Sequence, residues 1–169
     1  MHLSDAATLI APAISAAGTT WADLGAGTGT FSRALASLLG PSGRVYAVDR
    51  DPAVLRLARH DGLVAVHADF TMELELRPLD GALLANSLHF IPAAKQAGVL
   101  QRIARLVTPG GRIVVVEYEG RAPSRWVPFP ISLERFGALA KDAGLGAPVR
   151  VGTRRSAFGG IIYAAVASC

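Results

Sequence analysis

Between Trp21 and Gly29 an apolar run ends in an acid, Asp23, and glycines follow at positions 25, 27 and 29. Glycine accepts backbone angles closed to other residues and lets a ligand approach the main chain. The stretch from Phe31 to Leu39 then reads as a helix, stopped by Gly40-Pro41. A strand that turns through alternate glycines into a helix restricts the chain to a small set of α/β folds, and such a turn is a generic nucleotide site.

The rest of the chain repeats that unit. Apolar runs at Arg44–Asp49, Leu63–Asp69, Leu79–Ala85 and Ile113–Val116 predict strands. Between them, Asp51-Pro52 opens a helix as N-cap and first turn, with Val54, Leu55, Leu57 and Ala58 as its apolar face and Gly62 as its end. A second helix runs from Pro92 to about Val107, burying Val99, Leu100, Ile103, Ala104 and Leu106. Thr108-Pro109-Gly110-Gly111 reads as a turn, and Gly120 to Pro130 as a loop broken by prolines. Ser132 caps a helix ended by Gly144, and Val149–Val151 with Ile161–Val166 close the chain as a hairpin. At the start, Ser4 caps a helix over 4–17, with Gly18 as its stop. Alternating β and α elements predict a doubly wound, mostly parallel sheet with one reversed strand at the C-terminus.

In such sheets ligands bind at the carboxyl ends of the strands. Three of those ends carry an aspartate: Asp23, Asp49 and Asp69. Asp49 suits ribose hydroxyls, Asp69 an exocyclic amine, and Phe70 with the stem of Arg50 could flank an aromatic base. Asp23 suits a cationic group. The turn contains no lysine, and Thr30 stands where a dinucleotide site wants a small residue. Those departures favour a nucleoside with a positive group over a polyphosphate or a nicotinamide dinucleotide.

These segments together resemble the class I S-adenosylmethionine-dependent methyltransferases. Asp23-Leu24-Gly25-Ala26-Gly27-Thr28-Gly29 is similar to the first family motif, Val48-Asp49 to the second and Ala68-Asp69-Phe70 to the third. Thr108-Pro109-Gly110-Gly111-Arg112-Ile113 resembles the turn into strand five. The resemblance implies a single Rossmann-like, seven-stranded domain over 1–169. It implies that Gly25, Gly27 and Gly29 let the backbone approach S-adenosylmethionine and that Asp23 holds its amino group. Asp49 would bind the ribose and Asp69 the adenine beside Phe70 and Arg50. Asn86 and Ser87 would face the methionyl part, and His89 is the candidate base, with a structural role as its alternative. Glu117, Tyr118 and Glu119 would orient a substrate, or Glu117 would face solvent.

The family's Asn/Asp-Pro-Pro-Tyr/Phe sequence is replaced by Asn86-Ser87-Leu88-His89, which leans toward the small-molecule, quinone-type branch. The alternatives are a non-catalytic subunit that only binds the cofactor and an NAD(P)-binding oxidoreductase. Trp126 and Phe129 read either as a substrate lid or as a core anchor, and His67 as packing. Arg150, Arg154 and Arg155 read as a solvated hairpin. The chain is short for the family and has no large inserted substrate domain, so a partner, a second copy or the substrate would close its site.

Composition limits the partners. The net charge is +4, but the arginines are scattered and only Lys95 and Lys141 are lysines. A nucleic-acid partner would bring a dense basic stripe, so none is expected, and the small-molecule acceptor is what the family resemblance implies. The single cysteine is Cys169, which gives no internal disulfide and no Cys-rich metal site. No apolar run approaches the ~18 residues of a membrane span, and Met1-His2-Leu3-Ser4-Asp5 lacks the basic start of a signal peptide. The expected compartment is the cytoplasm. An apolar fraction of 51% points to a homodimer or a greasy substrate.

Overall fold

The strands of this chain alternate their burial between two helical layers, and that alternation sets the architecture. The computed structural model describes residues 1–14, 19–60 and 62–169. Among the described residues seven strands form one sheet: β1 (Thr20–Leu24), β2 (Arg44–Asp49), β3 (Leu63–His67), β4 (Leu79–Ala85), β5 (Val107–Glu119), β6 (Val149–Arg155) and β7 (Ile161–Ser168). Their order across it is β3-β2-β1-β4-β5-β7-β6. Strands β1 to β5 pair in parallel, and β7 runs antiparallel to both β5 and β6. The expected doubly wound sheet with one reversed strand is therefore present.

Among the described residues four α-helices cover the sheet: α1 (Leu3–Ile10), α2 (Thr30–Leu39), α3 (Ala93–Leu106) and α4 (Leu133–Asp142). Successive residues of a strand face opposite sides. Ile113 and Val115 of β5 join a core with Val99, Leu100 and Ile103 of α3 and with Phe136 and Leu139 of α4. Val114 and Val116 join the other core, with Leu9 and Ile10 of α1 and Ala34 and Leu35 of α2. Full burial on both faces is why the strands read as continuous apolar runs.

Several local expectations need correction. Ser4 is not a cap: α1 starts at Leu3 with His2 as N-cap, and Ser4 lies in its first turn. The helix ends at Ile10 because Pro12 brings on a 3₁₀ turn, Ala11–Ala13. The rest of the expected helix and its Gly18 stop fall at 15–18, outside the described residues. The Asp51-Pro52 segment is a 3₁₀ helix, Pro52–Arg59, although Asp51 caps it as expected by accepting from the Ala53 N–H at 2.9 Å. In a 3₁₀ helix residues three apart eclipse. Val54 and Leu57 are thus buried together, whereas Leu55 is 50% exposed. Strand β5 begins at Val107, earlier than expected, with a register shift opposite Leu79 to Gly81. His67 is exposed rather than packed, its Nε2 3.0 Å from the Arg50 carbonyl. Arg154 forms an ion pair with Asp5 at 2.8 Å, which ties α1 to the β6 edge.

One glycine of β4 is a packing requirement. A Cβ at Gly81 would lie 2.5 Å from the fully buried indole ring of Trp21. Gly81→Ala is expected to destabilise the fold by roughly 1–3 kcal/mol, the usual cost of overpacking a core. A urea titration would read this as a lower midpoint at unchanged m-value.

Candidate active site

The sheet reverses its winding between β1 and β4, and a crevice opens there at the strand ends. The first wall is the glycine turn after β1. Gly25 has φ +84°, and a Cβ there would sit 2.5 Å from the Ser87 Cβ, so only glycine lets this turn meet the segment after β4. Gly27 has φ +52° and open space where a side chain would be. Gly29 does different work. A Cβ there would lie 2.5 Å from Leu57 Cδ2, so this glycine lets the turn pack against the 3₁₀ helix.

The N–H groups of the turn are largely committed. Those of Gly25 and Ala26 donate to the Val48 carbonyl, that of Gly29 to Ala26, and that of Gly27 to Asp49 Oδ2 at 2.7 Å. Anion cradles need such groups free. The turn is therefore no phosphate loop, which agrees with the missing lysine. Asp49 Oδ1 also accepts from the Asp51 N–H at 2.9 Å, so this carboxylate ties the glycine turn to the segment after β2. Each of its oxygens keeps a further lone pair for a hydroxyl donor.

Asp69 closes an Asx turn. Its Oδ1 accepts from the Thr71 N–H at 2.9 Å and the Thr71 hydroxyl at 2.7 Å. Burial alone would raise its pKa, but those bonds and the nearby Arg50 charge hold it below the ordinary carboxylate value. This turn is why β3 stops at His67 instead of running to Asp69.

A cavity of about 850 Å³ lies along these strand ends. Gly25, Gly27, Asp49, Arg50, Asp69, Phe70, Asn86 and Ser87 all line it. Three expected site residues, Asp23, Gly29 and His89, do not. The cavity continues past Thr71 and Met72 along the α3 face that carries Lys95, Gly98 and Arg102. That second half was missed, because helical spacing alone does not say which face of α3 meets the groove.

Asp23 is 1% exposed. Its Oδ2 accepts from the Ser32 hydroxyl at 2.6 Å, and its Oδ1 has no partner. Desolvation raises its pKa to about 6, against the Ser32 hydrogen bond, and the charge of Asp49 adds to the rise. Asn86 Oδ1 and Ser87 Oγ are likewise buried and unpartnered. Asn86 is also the one non-glycine at positive φ among the described residues, at +54°. Orphaned buried polar atoms are rare, and strained backbone clusters at functional sites. Three acceptor-capable atoms grouped around one glycine turn suit a ligand that brings donors or positive charge.

His89 lies in a 3₁₀ turn, Leu88–Phe90, directly after this segment. It is 2% exposed. Its Nδ1 is 2.5 Å from Glu117 Oε2 and its backbone N–H donates to Glu117 Oε1 at 3.1 Å. Glu117, near the end of β5, is fully buried, so it neither faces solvent nor contacts the cavity directly. Burial pushes its carboxyl pKa up, opposed by the hydrogen bonds and charge of His89. Phe90 lies 4.4 Å and Tyr118 6.4 Å from the imidazole centroid. In the neutral tautomer whose Nδ1–H donates to the carboxylate, Nε2 carries the lone pair.

A Gly-rich turn into a helix and acids on successive strand ends, on a sheet wound this way, place the chain in the Rossmann-like class of folds. The chain belongs to the methyltransferase domain family, whose model matches residues 22–111. A ubiquinone/menaquinone biosynthesis C-methyltransferase, UbiE, from Burkholderia vietnamiensis is 32% identical over 126 residues, covering 70% of this chain and 51% of that protein. Among solved structures, a Burkholderia thailandensis 1,6-didemethyltoxoflavin-N1-methyltransferase holding its substrate and S-adenosylhomocysteine aligns with a TM-score of 0.72 at 21% identity. That alignment covers 98% of this chain and 76% of the other. A putative O-methyltransferase from Nostoc punctiforme aligns with a TM-score of 0.76 at 17% identity, covering 99% of this chain and 57% of the other. The chain spans about half or less of the length of the sequence relatives it matches. Among the described residues no helix is long and apolar enough to cross a membrane.

Proposed function

We propose that this chain transfers a methyl group from S-adenosylmethionine to a small-molecule acceptor. The observation that carries the reading is the crevice at the β1/β4 switch, with unpartnered buried oxygens at Asn86 and Ser87 on its lining and at Asp23 just ahead of the glycine turn. Those atoms fit a ligand that bears an ammonium and a sulfonium. Asp49 would hold the ribose hydroxyls, and Asp69, Phe70 and Arg50 the base. Asn86 and Ser87 would hold the amino-acid end, with Asp23 supplying charge to it. Gly25 and Gly27 keep the main chain low enough for this contact.

When bound, the cofactor supplies a methyl group on a sulfonium that is already able to leave. What remains for the protein is positioning and, for a protic acceptor, proton removal. His89 Nε2 would take the acceptor proton as the acceptor atom bonds to the methyl. Glu117 would hold the ring through Nδ1 and face the resulting imidazolium with its negative charge, the role an acid plays behind a histidine base. The named relatives methylate carbon and nitrogen, so the fold does not dictate the methylated atom. Their small-molecule chemistry supports the same acceptor class here.

Isothermal titration of the purified chain with S-adenosylhomocysteine tests the reading. Binding in the micromolar range with one site per chain is expected. Absence of heat and of thermal protection at high micromolar ligand would refute it.

A further inference from the structure

One buried polar side chain has no part in that mechanism. Gln96 of α3 is 1% exposed, and its amide is fully used. Its Nε2 donates to the Ile91 carbonyl at 3.1 Å and to the Phe129 carbonyl at 3.5 Å. Its Oε1 accepts from Arg135 Nε at 3.3 Å and Nη2 at 3.2 Å, and Nη2 also donates to the Ala93 carbonyl at 3.0 Å. A guanidinium can only donate, so the amide oxygen must face Arg135. That leaves the NH₂ group facing the two carbonyls, and the amide orientation is set by chemistry.

The two carbonyls belong to different segments. Ile91 follows the His89 turn, and Phe129 closes the loop from Gly120 to Pro130. The Phe129 N–H donates to the His89 carbonyl at 3.0 Å. Both backbone polar groups of Phe129 are thus spent on the segment that carries the base, one directly and one through Gln96. The loop this pins is anchored at Val127, 2% exposed, while Trp126 is 71% and Phe129 37% exposed. Phe90, 52% exposed, adds a third open aromatic ring beside His89. The core anchor of this loop is thus Val127 rather than Trp126 or Phe129, and the loop's end at Phe129 is tied to the base-bearing turn.

We propose that Gln96 is a positioning residue of the transfer site. It holds the aromatic loop at a fixed spacing from His89 so that the loop forms the acceptor wall, and Arg135 locks the amide in the orientation that does this. The proposal rests on the methyl-transfer reading above.

Gln96→Met conserves volume and removes all four hydrogen bonds. Gln96→Glu keeps the oxygen facing Arg135 but sets a second oxygen against the two carbonyls. Arg135→Met, at a half-buried position, serves if the Gln96 variants do not fold. Trypsin reports on the loop through Arg121 and Arg125, which both lie within it. Local opening governs such cleavage. All three variants are expected to bind S-adenosylhomocysteine within about twofold of wild type, because Gln96 does not line the cavity. Cleavage at Arg121 and Arg125 is expected to quicken by about tenfold, with cleavage elsewhere unchanged. For an acceptor recovered from cell extract with labelled cofactor, KM is expected to rise about tenfold while KM for the cofactor stays put. Unchanged loop cleavage and unchanged acceptor KM in a variant that still binds S-adenosylhomocysteine would overturn the proposal alone. A wild-type chain that binds no S-adenosylhomocysteine would overturn the transfer reading and the proposal with it.

Discussion

His89→Gln is expected to slow methyl transfer to a protic acceptor by roughly 10²–10⁴-fold, the usual range for losing a general base. S-adenosylhomocysteine affinity should stay within about twofold, because His89 does not line the cavity that would hold the nucleoside. Glutamine can keep a hydrogen bond to Glu117 but offers no basic nitrogen. Glu117→Gln probes the same pair from the other side, since it retains the shape and removes the charge that would face the imidazolium. It should slow transfer as well, by a smaller factor than His89→Gln, because orientation survives. Single-turnover rates against pH measure both. A rate within about threefold of wild type in His89→Gln would assign His89 a purely structural role.

Asp23→Asn should move stability and binding in opposite directions. The Asp23 carboxyl has a pKa of about 6 when folded, against about 3.9 unfolded. The folded state therefore holds the proton more tightly. Its stabilising effect is fully present below about pH 4 and is lost as pH rises through about 6. Two pKa units correspond to about 3 kcal/mol, so the ionised, buried carboxylate burdens the empty fold by that order at neutral pH. Asparagine removes the charge and can still accept from the Ser32 hydroxyl. The variant should melt several degrees higher than wild type at pH 7.5, and the gap should close by pH 4. It should also bind S-adenosylhomocysteine about 3- to 10-fold more weakly, because the negative charge that attracts the ligand's ammonium from behind the cavity wall is lost although no direct contact is. Thermal melts at the two pH values and titrations at pH 7.5 give both numbers. A melting gap that persists at pH 4 would show that the destabilisation is not the carboxylate charge.

The contrast between these two residues shows where sequence reasoning reached. Asp23 announced itself by standing at the end of an apolar run before alternate glycines. The bounds of β1, β2 and β4 coincide with apolar runs closed by turn residues, because strands buried on both faces tolerate little else. Once the strand ends were placed, Gly25, Gly27, Asp49, Arg50, Asp69, Phe70, Asn86 and Ser87 fell on one crevice, since parallel strands bring their carboxyl ends together. The long 3₁₀ helix was not legible. Leu55 and Leu57 have the same composition signal, yet one is exposed and the other buried.

His89 shows the limit. Its position after β4 was readable, but its partner lies 28 positions away on β5. Gln96 gave no signal, because a glutamine in a helix is ordinarily a surface residue, and Arg135, which orients it, is 39 positions further on. Likewise Gly29 carries the same local signal as Gly25 and Gly27, and only the packing of Leu57, which a Cβ at Gly29 would meet at 2.5 Å, sets it apart. The sequence alone determined the winding of the sheet, the glycine turn and the acids at the strand ends, because each follows from local periodicity and backbone sterics. The tertiary structure alone decided which acid is buried with an unpartnered oxygen, which histidine is backed by a carboxylate and which loop is tied to it. Those properties depend on desolvation and on hydrogen bonds between segments that meet only when the layers pack.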